Sequence, residues 1–197
     1  MAEIPKTAIT GLILAGGLGR RMRGQDKGLL PFRGKPLVEQ ITQRLAPQVG
    51  ALLINANRNL TRYQALGYPV ISDRLPGFLG PLAGVLTGLQ AIQTPYLLTV
   101  PCDVPDLPAD LAEKLSQALQ TQNALLSVAW DGKRFHPVFS LLHRALLPDL
   151  QTYFAGGGRR MGDWQRRHDP ASADFSLRPG SLRNLNRAAD WAALGEQ

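Results

Sequence analysis

The sequence predicts an α/β protein, a three-layer α/β/α Rossmann-like fold whose central sheet is mostly parallel with a mixed edge. Three observations lead there. Short apolar runs alternate with segments whose apolar residues recur at helical spacing, the pattern of a sheet covered by helices on both faces. The first run, Ile9 to Ala15, is apolar almost throughout, as a central strand buried from both sides would be. The early runs also end in glycine, asparagine or aspartate, which gathers polar residues at the strand ends where open α/β sheets bind ligands. At 197 residues the chain suits one domain, residues 1–197, able to bury on the order of 70% of its unfolded surface without a metal or disulfide staple.

Taken in order, the first strand runs into Gly16-Gly17-Leu18-Gly19, where glycines can take positive φ and let backbone N–H groups approach an anion. Pro36 then opens a helix carrying Leu37, Val38, Ile41 and Leu45 at helical spacing, up to Pro47. Gly50 to Ile54 reads as the second strand, ending at Asn55-Ala-Asn57; Leu60 to Leu66 is a short helix closed by Gly67, and Pro69 to Ile71 a short strand ending at Ser72-Asp73. After a Pro- and Gly-containing loop over residues 75–79, a helix from Leu82 to Ile92 begins at Gly80-Pro81, with Gly80 and Gly84 leaving room for something to lie against it. Tyr96 to Val100 is a buried strand ending at Pro101-Cys-Asp103, and a helix from Ala109 to Gln120 follows. Ala124 to Trp130 and Phe135 to Leu142 form a hairpin about Asp131-Gly132, which mixes the sheet at its edge. Leu146 to Phe154 is helical, Gly156-Gly-Gly158 is a joint, Met161 to Arg167 is a helix with Arg166 and Arg167 on a basic face, and Asn184-Leu-Asn186 precedes a last helix, Arg187 to Leu194, capped by Asn186.

The first loop carries the clearest chemical signal. Arg20, Arg21, Arg23 and Lys27 put four positive charges within eight positions of a glycine turn, which reads as a triphosphate cradle. A dinucleotide fingerprint would need glycine at Met22, and a Walker pattern fails because Gly34-Lys35 is followed by Pro36 and Leu29 stands where its first glycine belongs. Asp103, a single acid at a strand end facing that cationic loop, suits Mg²⁺, which takes one or two carboxylates and completes its shell with phosphate and water. Asp106 and Asp110 read as loop and helix-start acids.

Charge and composition remove other classes. The net charge of +7 is uneven: residues 1–35 hold 7 Lys and Arg against 2 acids and residues 133–187 hold 10 against 4, whereas residues 36–132 hold 5 against 7. If the two basic blocks converge they make one positive bowl. Neither interleaves aromatic with basic residues as single-strand platforms do, and no recognition helix is evident, so a small polyanion fits better than nucleic acid. Cys102 is the single cysteine, read as buried filler; His136, His143 and His168 lack zinc-site spacing, with His136 beside the substrate and the other two on the surface. No apolar run nears the roughly 20 residues that span a bilayer, and Met1 to Lys6 lacks a signal-peptide core, so the expectation is a cytoplasmic protein outside the membrane.

Leu14-Ala-Gly-Gly-Leu-Gly-Arg-Arg-Met22, Asp26-Lys-Gly-Leu-Leu30, Gly34-Lys-Pro-Leu37, Asn55-Ala-Asn57, Asp73, Gly80-Pro-Leu-Ala-Gly84, Pro101-Cys-Asp103 and Asn184-Leu-Asn186 together resemble the nucleotidyltransferases that activate sugar phosphates and cofactor precursors. Within them the chain is most similar to the molybdenum cofactor guanylyltransferases, along nearly its whole length. The resemblance implies transfer of GMP from GTP to the terminal phosphate of molybdenum-bearing molybdopterin, with release of pyrophosphate and transient contact with molybdenum-cofactor enzymes or their chaperones. It implies Leu14, Ala15, Gly16, Gly17, Lys27, Asn55, Asp73, Gly84 and Asp103 at the nucleotide, Arg21 and Lys27 gripping the triphosphate, and Asp103 holding Mg²⁺. Asn184 and Asn186 fall on the acceptor side, Asn186 within reach of the metal, and Arg159 and Arg160 would close over the anionic acceptor. The lack of side chains at Gly16, Gly17 and Gly84, where larger residues would narrow the pocket, resembles the guanine-specific branch and not the cytosine-specific one. Three alternatives stay open at this point: a cytidylyl- or sugar-phosphate nucleotidyltransferase, a non-catalytic GTP-binding protein, and a nucleic-acid binder.

Overall fold

The computed structural model describes residues 3–17, 25–74 and 80–185. Strand β1 (Ile9–Leu14) lies in the middle of one sheet, with β4 (Ala51–Asn55) on one side and β6 (Tyr96–Pro101) on the other, both parallel to it. Outside β4 comes β5 (Val70–Ile71), again parallel. Beyond β6 come β8 (Phe135–His143), β7 (Leu126–Trp130) and β9 (Ala171–Asp174), giving the order β5-β4-β1-β6-β8-β7-β9. Only β8 runs against the rest, so the antiparallel member is internal and not at the edge. The outermost place is taken by β9, parallel to β7, a strand that its small residues Ala-Ser-Ala-Asp did not announce. A separate two-stranded hairpin, β2 (Pro31–Phe32) and β3 (Lys35–Pro36), follows the first loop.

The strict alternation of side chains along a strand divides the core in two. Ile9 and Ile13 of β1, with Leu98 and Val100 of β6, point to the face covered by α1 (Leu37–Leu45), α2 (Leu60–Gln64) and α4 (Leu111–Thr121). Leu12 and Leu14, with Leu97, Leu126 and Val128, point to the face covered by α3 (Pro81–Ala91), α5 (Leu147–Ala155) and α6 (Met161–Arg166). Each helix therefore arises from one apolar stripe, and the three layers follow. Helix α4 begins two residues later than the periodicity suggested, because Pro108 to Asp110 form a turn before it.

Close approach requires glycine where α3 and α1 meet β1. At Gly88 a Cβ would sit 2.6 Å from Leu12 Cδ2, which shows how tightly α3 lies on β1. At Gly11 it would sit 2.9 Å from Leu52 Cδ1 and 3.1 Å from Leu45 Cδ2, where α1 meets the other face. No helix among the described residues is long and apolar enough to cross a membrane.

Candidate active site

The carboxyl ends of β1, β4 and β6 lie side by side, with Leu14 in register with both Asn55 and Pro101. Hydrogen bonds continue past the strands: Ala15 N–H donates to the Asn55 carbonyl at 2.8 Å, and Cys102 N–H to the Leu14 carbonyl at 3.2 Å. Gly16 and Gly17 on one side, and Asp103 on the other, thus leave the sheet from one fixed ledge.

Three segments far apart in sequence converge at Asp103, which is 7% exposed. Lys27 Nζ donates to its Oδ2 at 3.1 Å, and the Asn184 amide donates to Oδ1 at 2.7 Å. The backbone joins in, since Leu185 N–H donates to the Asp103 carbonyl at 2.9 Å, and the Leu185 side chain is buried with Phe32 and Leu37. Cys102, next to it, is buried; desolvation first, then the Asp103 and Asp26 carboxylates, push its thiol well above the ordinary value, so it stays protonated and is no nucleophile.

Lys27 is aimed by its neighbour. Asp26 accepts from the Tyr63 hydroxyl at 2.6 Å and the Asn59 amide at 2.9 Å, and Arg58 Nε lies 3.6 Å from Oδ2. With its carboxylate committed to α2 and the turn before it, Asp26 leaves Lys27 to Asp103. Burial, with Cys102 and Asp26 beside it, raises the Tyr63 phenol far above its usual value, which keeps the hydroxyl a donor. Arg58 also donates to the carbonyls of Gly17 at 3.2 Å and Gln25 at 2.9 Å, so it joins the two ends of the cationic loop. Arg58, Asn59 and Tyr63 were not singled out from sequence, and Asp26 only as the start of a motif; Asn59 and Tyr63 do share the i, i+4 spacing that would let both reach one acceptor.

On the other side of the glycine turn, Asp73 is held by two amides. Asn55 Nδ2 donates to Oδ1 at 2.8 Å and Asn57 Nδ2 to Oδ2 at 2.7 Å, while Asn57 Oδ1 accepts from Asp73 N–H at 2.9 Å. The carboxylate keeps further lone pairs for a ligand's N–H groups. Gly16 and Gly84 fit around this cluster. A Cβ on Gly16 would come 2.7 Å from Asn57 Nδ2, and one on Gly84 would come 2.4 Å from Asn55 Oδ1 and 2.6 Å from Leu14 Cδ2. The space beside Gly84 is therefore filled by Asn55 and Leu14 and is not an opening for a ligand. Gly17 alone of these three has nothing within 4 Å of such an atom. Neither Gly16 nor Gly17 has positive φ, contrary to expectation; close approach, not backbone hand, requires glycine at 16.

The structure thus brings together Leu14, Ala15, Gly16, Gly17, Lys27, Asn55, Asp73, Gly84, Asp103 and Asn184. Arg21 and Asn186 lie outside the described residues, as does the last helix. Arg159 is occupied by its own loop: its guanidinium donates to the carbonyls of Phe154 and Gly158 and lies 5.0 Å over the Phe154 ring. Arg160 is exposed at the start of α6, its carbonyl accepting from Trp164 N–H. Both stand on the α5–α6 face, apart from the Asp103 cluster. His136 is bonded through Nε2 to Asp131 at 2.7 Å and pairs with Ala129, whose side chain faces the α1–α4 layer, so it clamps the hairpin instead of facing this site. His168 is likewise tied down, 2.7 Å from Asp149 Oδ1, which also accepts from Trp164 Nε1 at 2.8 Å. Burial works against the charge on Asp149, but these two bonds outweigh it and hold the carboxyl below its ordinary range.

A metal fits this donor set. No group of three or more His, Cys, Asp and Glu side chains that could hold an ion occurs among the described residues, yet magnesium bound with phosphates needs only one or two carboxylates. Asp103, already balanced by the Lys27 ammonium, is a carboxylate placed for positive charge.

The chain is similar to known proteins along most of its length. The model of the MobA-like NTP transferase domain matches residues 11–171. The chain is 51% identical to a molybdenum cofactor guanylyltransferase from Ralstonia pickettii, over 98% of this chain and 99% of that one. It is 49% identical to the protein of the same name from Pasteurella multocida, over 91% and 95%. Among solved structures, the molybdopterin-guanine dinucleotide biosynthesis protein A from Archaeoglobus fulgidus superposes with a TM-score of 0.77, covering 95% of this chain and 97% of that one; at 19% identity that likeness speaks to the fold alone.

Proposed function

The chain belongs to the MobA-like NTP transferase family, and on that footing we propose that it transfers GMP from GTP to the terminal phosphate of molybdenum-bearing molybdopterin, releasing pyrophosphate. The observation that carries this reading is the meeting of Lys27, Asp103 and Asn184 at the strand ends, beside the glycine turn.

The chemistry asks little of the protein by way of proton transfer. A phosphate monoester is largely ionised at neutral pH, with a second pKa near 6, so an acceptor phosphate oxygen attacks without a general base. Its bond to the α-phosphorus forms as the bond between the α-phosphorus and the α,β-bridging oxygen breaks, and pyrophosphate leaves carrying that oxygen. Catalysis is then the alignment of two polyanions and the neutralisation of their charge. Lys27 would move its ammonium from Asp103 onto the triphosphate, and Arg21 is assigned to the same grip. Gly16 and Gly17 would present backbone to the phosphates, Gly17 with open space before it. Asp103 would hold Mg²⁺, which when bound supplies charge neutralisation at the phosphate oxygens.

For the base, Asp73, clamped by Asn55 and Asn57, offers acceptors that match the adjacent N–H donors of guanine; cytosine pairs one donor with an acceptor there. Arg159, Arg160, Asn184 and Asn186 are assigned to the acceptor side. The setting is the cytoplasm, with transient contact to molybdenum-cofactor enzymes or their chaperones. The test is pyrophosphate release with GTP, Mg²⁺ and molybdopterin, and the same with CTP. Faster release with CTP moves the chain to the cytidylyl branch, and no release with either removes the proposal.

A further inference from the structure

Trp130 and Phe135 are cross-strand partners at the turn end of the β7–β8 hairpin. Trp130 is half-buried and Phe135 is 49% exposed. Neither ring lies against another aromatic ring among the described residues, and no acceptor among them takes the Trp130 indole N–H, in contrast to Trp164, whose indole is committed to Asp149. The other exposed large apolar residues among those described, Leu60, Leu125 and Leu177, are single aliphatic side chains.

Position gives the pair a use. Val128 and Thr99 are both in register with Ser140, so two residues further on Trp130 and Pro101 reach the same level of the sheet. They are separated there by two strand spacings, about 10 Å. Leu126 and Val128 point to the α3–α5–α6 face, and by alternation so does Trp130, with Phe135 beside it in register. Asp103 follows Pro101 by two residues, in the turn at the same carboxyl edge of the sheet as Trp130. The loop carrying Arg159 and Arg160 is on the face that Trp130 shares, since Phe154 and Met161 at its two ends are buried there. Two rings without an aromatic partner, and an indole N–H without an acceptor, among the described residues therefore stand at the sheet edge that carries Asp103, on the face of the Arg159–Arg160 loop.

We propose that Trp130 and Phe135 form the platform for the flat fused-ring head of the acceptor, stacking on its heterocycle while its phosphate reaches toward Asp103. The inference rests on the reading of this site as a nucleotidyltransferase acting on a pterin-bearing phosphate. Stacking fits because a heterocycle of this kind offers a broad π-face to a ring and polar edge atoms to the indole N–H.

The test uses the full chain. Phe135→Ala and Trp130→Ala are expected to raise the acceptor KM about 10-fold or more, the scale of losing one ring from a base-stacking contact. The KM for GTP and kcat at saturating acceptor should hold, and Trp130→Phe should recover most of the loss. Because Phe135 is largely exposed, its variant keeps the test decisive even if Trp130→Ala does not fold. Unchanged acceptor KM in folded Phe135→Ala and Trp130→Ala, or an equal rise in the KM for GTP, overturns the platform. A separate titration with hydroxymethylpterin monophosphate, followed by pterin fluorescence, keeps the two readings apart. Should the wild type make no dinucleotide product, the proposed function fails, but pterin binding that weakens in Phe135→Ala still supports the platform. If the wild type does not bind the pterin monophosphate, the platform is wrong whatever the enzyme's activity.

Discussion

Gly84→Ala is the perturbation that best separates a packing role from a nucleotide role. The added methyl would lie 2.4 Å from Asn55 Oδ1, where ordinary contact begins at 3.4 Å, so the amide must retreat by about 1 Å. The Asn55–Asp73 hydrogen bond, at 2.8 Å, has no such slack. Losing a hydrogen bond to a charged group costs about 1.5–3 kcal/mol, which predicts about 10- to 100-fold weaker GTP binding if Asp73 reads the nucleotide. Thermal stability is the poorer readout, because alanine gains about 1 kcal/mol over glycine in a helix against an overpacking cost of about 1–3 kcal/mol. Gly88→Ala supplies the control: it sits one turn further along the same helix, and its methyl would meet Leu12 Cδ2 at 2.6 Å, an apolar side chain on β1. Calorimetric titration with GTP should show the loss in Gly84→Ala and none in Gly88→Ala. Equal affinities for the two variants would refute the link from Gly84 through Asn55 to the nucleotide.

Three further outcomes are expected. Asp103→Ala should lower pyrophosphate release by about 100-fold or more, the scale of removing a key electrostatic contact; near-normal turnover with Mg²⁺ present would remove the metal assignment. Tyr63→Phe leaves the core ring in place but takes from Asp26 its 2.6 Å donor, so Lys27 should be less well directed and the KM for GTP should rise several-fold, with little change in thermal midpoint. The hydrogen bond from His136, helped by the backbone N–H groups of Arg134 and Lys133 and opposed by burial, holds the Asp131 carboxyl far below its ordinary value of 3.8. A depressed folded-state value means the stabilisation is complete above 3.8 and is lost as the pH falls below it. Thermal midpoints measured from pH 5 downward should therefore fall more steeply for the wild type than for Asp131→Asn, and parallel curves would contradict this.

The sheet was legible because its signal is strong and local. Ile9 to Leu14, Tyr96 to Val100 and the stripe Leu37, Val38, Ile41, Leu45 each encode their burial in their own spacing, and Asp103 and Lys27 stood at strand and turn ends where ligand chemistry collects. What the spacing lacked was anything set by tertiary contact. Ala171 to Asp174 contain no large apolar residue, so pairing with β7 alone makes them a strand. Gly84 read as open space because the amide that fills it arrives from β4, some thirty residues earlier. His136 was assigned to the wrong neighbour because a bulge in the β7–β8 pairing, opposite Val128 and Ala129, decides which face it takes. Arg58 and Tyr63 carry no motif; their purpose appears only once α2 is laid against the start of the Lys27 turn.

The internal position of the reversed strand bears on how the protein is built. Strands β7 and β8 join the sheet as a pair, since β7 touches β6 only through β8, and β9 has no place until β7 is seated. Until that pair arrives, the half-sheet made by residues 9–101 ends in β6, whose Leu97, Leu98 and Val100 are fully covered in the finished molecule. A bare, apolar border of that kind is a template for pairing with other chains. Aggregation during refolding should therefore rise with any change that delays the hairpin, Asp131-Gly132 above all, even where the native state is scarcely weakened.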